Sequence, residues 1–175
     1  MKPFLAALLL CSLSVSAQAQ DHRLKGRLDA ETLRSVTALI DSSRSDGIPE
    51  EPLIQKALEG ASKGATGDRI VVAVRNLGAA MKTARSALGT DSSDREIVAG
   101  AAALRAGANP EGLRDLRRAR GDSNLEVPLA VLADLVGLGM QVETAYQSVL
   151  DLARSRAPDA EFIRLKERRL EDHRP

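Results

Sequence analysis

Apolar residues recur at helical spacing through most of the chain. Residues 70–74 form its one β-branched run, and this run continues into Leu77, Met81, Ala84 and Leu88. Spacings of three and four place such side chains on one face of a helix, so we assign the run to a helix. Ala, Leu, Arg and Glu dominate elsewhere, and these residues are strong helix formers. The pattern therefore predicts an all-α protein.

Glycines and capping residues indicate where these helices end and begin. Glycine most easily adopts the left-handed conformation that closes a helix. Six glycines follow helical segments: Gly47, Gly64, Gly89, Gly107, Gly121 and Gly139. The sequence at 93–96 fits a capping box, and Asn109 before Pro110 fits a cap followed by a first-turn proline. Further candidate caps are Asp29, Asp68 and Asn124.

The glycines also reveal an internal repeat. When Gly64, Gly107 and Gly139 are aligned, apolar residues recur at ten and three positions before each glycine. We predict helical hairpins at about 48–88, 90–120 and 122–156. Helices at 29–45 and 158–172 would complete a single all-helical domain at 29–172. The hairpins form either a short stack resembling an α-solenoid or an irregular helical bundle.

The beginning of the chain is typical of an export signal. Lys2 precedes an apolar stretch at 4–15, and Ala17-Gln18-Ala19 fits the motif recognised by signal peptidase. We predict removal of residues 1–19 by cleavage between Ala19 and Gln20, a flexible tail at 20–28, and a periplasmic or secreted protein. The apolar stretch is shorter than the roughly 20 residues that span a bilayer, which argues against a membrane anchor. Uncharged stretches of the mature chain, such as 97–104 and 127–133, are also too short, so no transmembrane segment is expected there.

Composition argues against several classes of activity. The 25 basic and 24 acidic residues balance, whereas nucleic-acid binding usually requires a basic excess. Cys11 is the only cysteine and lies in the predicted signal, so we expect no disulfide. The two histidines, His22 and His173, lie near the chain ends, which argues against nucleophile–histidine pairs and zinc sites in the folded body. We expect no catalytic residue, metal or cofactor.

A cluster of arginines is the first candidate site. Its members are Arg105, Arg114, Arg117 and Arg118. Arg114 and Arg118 share one helical face, where they could bind an anion or an acidic protein partner. The alternative is a solvated face, since Glu111 and Asp115 neutralise part of the charge.

Asp134 is the second candidate, because it is the only charged residue between Glu126 and Glu143. On an otherwise apolar helix it is either an outward-facing or paired residue, or a partly buried acid of the kind found at functional sites.

Together these observations favour an exported, non-enzymatic interaction or scaffold protein of the bacterial cell envelope, because helical repeats present extended surfaces. A carrier that encloses an apolar small molecule or lipid between aliphatic helices is an alternative. An enzyme that uses only carboxylates and arginines is a further one. A protein partner is expected, but the sequence does not identify it.

Overall fold

The computed structural model describes residues 22–172, which contain eight α-helices of 11 to 22 residues and no strand. The all-α prediction is confirmed. The helices are α1 (Ala30–Ser45), α2 (Glu51–Ser62), α3 (Gly67–Leu88), α4 (Asp94–Arg105), α5 (Pro110–Arg120), α6 (Glu126–Gly137), α7 (Val142–Arg154) and α8 (Asp159–Asp172). The predicted signal peptide and its cleavage site, Ala19 and Gln20, lie outside the described residues.

The helices form two layers. In one layer α1, α3, α5 and α7 pack in succession, and in the other α4 packs on α6 and α6 on α8. Contacts of α3 with α2 and α4, and of α6 with α7, join the layers. This alternation is that of a short helical stack. One step is missing, because α2 and α4 are neighbours in the second layer but do not pack extensively on each other.

Most helix ends follow the predicted signals. All six glycines have positive φ, from 58° to 111°. Ser93 and Glu96 form the reciprocal hydrogen bonds of a capping box, and the Asn109 side chain accepts from the Gly112 N–H. The prediction for Asp68 is wrong, because α3 begins at Gly67 and Asp68 lies inside its first turn.

The end of α7 carried no glycine signal. Arg156 closes this helix with a φ of 55°, and the Ala157 N–H donates to the Leu152 carbonyl at 3.0 Å. The same hydrogen bond follows Gly47, Gly64, Gly107 and Gly139, but here an arginine adopts the left-handed conformation.

The core is aliphatic, with Phe162 as its one buried aromatic side chain among the described residues. Gly100 shows how closely α4 approaches its neighbours. A Cβ atom at this position would lie 3.0 Å from the Ala84 Cβ and 3.3 Å from the Leu113 Cδ2. The small residues of α4 therefore serve tight packing against α3 and α5.

Residues 22–28, which fall within the predicted flexible tail, contact the helical body. Leu24 is 1% exposed and belongs to the core. Arg23 donates two hydrogen bonds to the Glu51 carboxylate, at 2.9 and 2.7 Å. Burial of one leucine and a bidentate ion pair hold this segment against α2, although it is too short to show a hydrophobic period. Within residues 22–172, no helix combines the length and apolar character needed to cross a membrane.

Candidate interaction groove

The four predicted arginines do not form one surface, because they lie on different sides of two helices. Arg117 points into the protein, Arg114 and Arg118 point outward from α5, and Arg105 ends α4. Each side chain therefore has a different environment.

Arg117 belongs to a group around the buried Glu96 that we call the Glu96 junction, formed by Ser93, Glu96, Arg117 and Leu125. The Arg117 Nη2 donates to the Glu96 Oε1 at 2.6 Å, and the Leu125 N–H donates to the same oxygen at 2.9 Å. Arg117 also donates to the Leu88 carbonyl at 3.3 Å. The junction thus ties together the adjoining ends of α3, α4, α5 and α6, and Arg117 is committed to the fold.

The Glu96 carboxylate is 6% exposed and yet well stabilised as an anion. Burial, the largest single influence, raises its pKa, but hydrogen bonds from the Ser93 backbone, the Arg117 guanidinium and the Leu125 backbone together lower the pKa below its ordinary value. The carboxylate is therefore ionised at neutral pH, with both oxygens bonded. Its hydrogen bonds join the beginning of α4 to α5 and to the beginning of α6.

Arg114 and Arg118 are exposed but not free. The Arg114 Nη2 lies 2.8 Å from the Glu111 Oε2, and Arg118 pairs with both Glu111 and Asp115. The Tyr146 hydroxyl also donates to Asp115, at 2.9 Å. Two carboxylates thus neutralise two guanidiniums, so the predicted anion-binding patch is not a continuous positive surface.

Arg120, a further arginine of the same helix, holds the last helix in place. The Arg120 side chain is 9% exposed, donates to the Ala157 carbonyl at 2.6 Å and pairs with Asp159 at 3.0 Å. Its guanidinium lies 5.3 Å from the Phe162 ring centre, within range for a cation–π contact. The helical spacing could have indicated this inward position. Arg117 follows Leu113, and Arg120 follows Leu116, at an interval that places both arginines on the buried face of α5.

Asp134 is not the partly buried acid that the sequence allowed. Its side chain is half exposed, and the Lys166 Nζ donates to its Oδ2 at 3.1 Å. The sequence separation of 32 residues explains why the local pattern could not reveal this partner. Asp134 instead lines an apolar groove.

This groove, which we call the α4 groove, has a volume of about 520 Å³ and lies between α2, α4 and α6. It is open to solvent, and Val98 is 37% exposed on the surface of α4. The apolar lining comprises Pro49, Pro52, Val98, Ala99, Ala102, Ala130 and Ala133. The charged lining residues are Glu51, Asp94, Arg95, Glu126 and Asp134.

A second groove of about 450 Å³ also separates α2 from α4, but it lies over the first half of α3. We call it the basic groove; its lining includes Lys56, Asp68, Arg69, Val72, Asn76 and Arg105. Val72 is 49% exposed. Arg69 and Arg105 have no ion-pair partner among residues 22–172. The sequence-predicted Arg105 is thus separated from the other arginines and lies at the end of α4.

Both grooves have the same origin, which is the missing contact between α2 and α4. Gly100 turns one face of α4 toward α3 and α5, and this leaves Val98 and Ala102 on the opposite face without a helix over them. Neither groove is lined by a histidine, a cysteine or a hydroxyl-bearing side chain. The lining offers shape, apolar surface and charge, which are the properties of a binding surface.

No protein-family model matches this chain, and no match was found among curated proteins or solved structures.

Proposed function

We propose that this is an exported, non-enzymatic interaction protein of the bacterial cell envelope, and that its α4 groove binds an apolar segment of a partner protein. One observation carries the proposal. Val98 and Ala102 are exposed side by side on α4, in a groove whose lining is formed largely by alanine, valine and proline.

Apolar surface of this kind is costly to leave in water and gains free energy when a partner covers it. Each square ångström of buried apolar surface contributes about 25 cal/mol. The groove is also concave, because α2 and α6 rise on either side of α4. Grooves between helices are a recurrent site of peptide recognition.

Export is supported by the apolar stretch and the cleavage motif at the beginning of the chain. Intact-mass analysis of the protein from a bacterial periplasm should give a chain that starts at Gln20. A chain that retains residues 1–19 in that compartment would contradict processing.

Site-specific photo-crosslinking tests the docking site. A photoreactive amino acid at Val98 should form a discrete adduct with one partner protein in cells of the native host. Ile163 offers a matched control, since it is 42% exposed on α8 and does not line the groove. The proposal expects the adduct from position 98 only, and expects Ala130→Glu in the groove to abolish it. Identical products from both positions, or none from position 98, would rule out docking here.

A carrier of a small apolar molecule is a second candidate. The volume of the α4 groove falls within the range of about 300–1,000 Å³ that is common for ligand sites. Native mass spectrometry of the exported protein separates the two functions. A co-purifying small molecule that is lost in Ala130→Glu would favour the carrier, whereas a protein adduct without such a molecule favours the docking protein.

A further inference from the structure

We propose that the occupant of the α4 groove is an amphipathic α-helix of the partner. It runs antiparallel to α4, with carboxylates in its first turn and lysines or arginines in its last turn. This inference rests on the proposed function and specifies the chemistry of the partner.

The exposed stripe of α4 is the first argument. Asp94, Val98, Ala102 and Arg105 are separated by four, four and three residues, so they lie on one face of the helix, and all four are exposed. The stripe therefore begins with a carboxylate, continues with two apolar side chains and ends with a guanidinium.

The surrounding helices share the direction of α4. Glu51, Asp94 and Glu126 come from the beginnings of α2, α4 and α6 and line the same groove, so the three helices start at one end of the site. Glu51 pairs with Arg23 and Glu126 lies 3.8 Å from Arg95, whereas Asp94 has no ion-pair partner among residues 22–172. At the other end the basic groove brings together Lys56, Asp68, Arg69 and Arg105. Lys56 pairs with Glu59, whereas Arg69 and Arg105 have no ion-pair partner among residues 22–172.

Helix stability does not explain all of these positions. Acidic residues in first turns and Arg105 in a last turn do suit the helix dipole. Arg69 does not, because it lies in the first turn of α3, where a cation is unfavourable. It also lacks an ion-pair partner among the residues that the structure describes. A carboxylate of a bound partner at this end would provide one.

A helix fits the site better than an extended segment. The walls are helices, whose backbone groups bond within their own turns, so they offer no row of N–H and C=O groups to an added strand. A bound helix makes its backbone hydrogen bonds within itself and contacts the groove only through its side chains. It would also occupy the place between α2 and α4 where the second layer lacks a contact.

The charge pattern fixes the direction of this helix. Cations are favourable at the end of a helix and carboxylates at its beginning. If its last turn lies over Asp94, its first turn lies near Arg105 and Arg69. Such a helix is antiparallel to α4, and its own charges stabilise it as well as the complex.

Two fluorescent peptides of about 18 residues test this inference against the mature full-length protein, since shorter helices are marginal in water. Probe one has a leucine face, glutamates in its first turn and lysines in its last turn. Probe two is identical except for lysines in its first turn. Fluorescence anisotropy should show that the wild-type protein prefers probe one.

Two groove variants locate the binding. Val98→Glu or Ala102→Glu should weaken binding of probe one by at least about tenfold, because each places a carboxylate under the leucine face. Ile163→Glu is the matched control and should leave affinity within about twofold. Circular dichroism of each variant verifies folding. Unchanged binding by both groove variants would overturn the inference.

Charge reversal tests the direction. The double variant Arg69→Glu, Arg105→Glu should lose its preference for probe one and bind probe two more tightly, with the difference shrinking at high salt. Retained preference for probe one, or no binding of either probe by the wild-type protein, would overturn the helix inference. If a Val98 adduct nevertheless forms in cells, the proposed function stands with a different kind of occupant. If no adduct forms, the function itself fails.

Discussion

The inner and outer faces of α4 both carry charged side chains, but these side chains differ in burial and in hydrogen bonding. On the inner face Glu96 is buried, and its carboxylate accepts hydrogen bonds from Ser93, Arg117 and Leu125. On the outer face Asp94 and Arg105 are exposed and have no ion-pair partner in the described part of the chain. A charged residue whose bonds are all made within the fold maintains that fold, whereas one with open bonding positions is available to another molecule.

The largest expected effect comes from breaking the inner pair. Arg117→Ala leaves the Glu96 carboxylate buried without its counter-ion, and removal of one partner from a buried pair is strongly destabilising. We expect the free energy of unfolding in urea to fall by about 3 kcal/mol. Arg118→Ala, which removes an exposed guanidinium from the same helix, should change it by less than about 0.5 kcal/mol. Equal losses in the two variants would remove the distinction between the faces.

A second comparison tests packing on the two faces. Gly100→Val places atoms where even a Cβ would lie 3.0 Å from Ala84 and 3.1 Å from Leu88. Overpacking of this kind costs about 1–3 kcal/mol. Ala102→Val adds its methyl groups on the exposed face and should have a much smaller effect. Thermal melts of both variants provide the measurement, and a Gly100→Val protein that melts like the wild type would show that α4 does not approach α3 closely.

The smallest expected effect is a change in pH dependence. The Glu96 pKa is lowered in the folded protein, so its stabilising contribution is complete above its ordinary value of 4.5 and is lost as the pH falls below that value toward the folded pKa. Glu96→Gln should therefore reduce the loss of stability on acidification, although the variant is less stable at neutral pH. Urea titrations between about pH 6 and pH 3 provide the measurement.

Glu111→Gln is the matched outer control for this titration. The Glu111 pKa is also lowered, by hydrogen bonds from Arg114 and Arg118, but these groups are solvent-exposed and screened. Its pH dependence should differ less from the wild type than that of Glu96→Gln. A larger change in pH dependence for Glu111→Gln than for Glu96→Gln would show that the exposed ion pairs determine the acid sensitivity.

The sequence predicted the helices and most of their ends because those signals are local. A positive φ favours glycine whatever the tertiary structure, and the Ser93 cap needs a partner only three residues away. The role of Arg156 was not predicted, because it adopts the left-handed conformation at a position where the sequence has no glycine to indicate it. The burial of Leu24 was not predicted either, because a single buried residue in a short segment produces no periodic hydrophobic pattern.

The candidate site was harder to predict because it depends on contacts between distant segments. The sequence alone allowed Asp134 to be a partly buried acid, because its partner Lys166 lies 32 residues later in the chain. The arginines of α5 were separable in principle, since Arg117 and Arg120 follow the buried leucines of that helix. The α4 groove was not predictable in this way, because it results from two helices that fail to meet.

That missing contact also governs how the stack bends. From α4 to α8 both layers are continuous, so bending there must disturb two sets of packed side chains. Between α2 and α4 only the α1–α3–α5 layer is continuous, so we expect the stack to bend most easily there. Bending at this point would change the width of the α4 groove. A partner seated in the groove would therefore act as a wedge that sets the curvature of the whole protein.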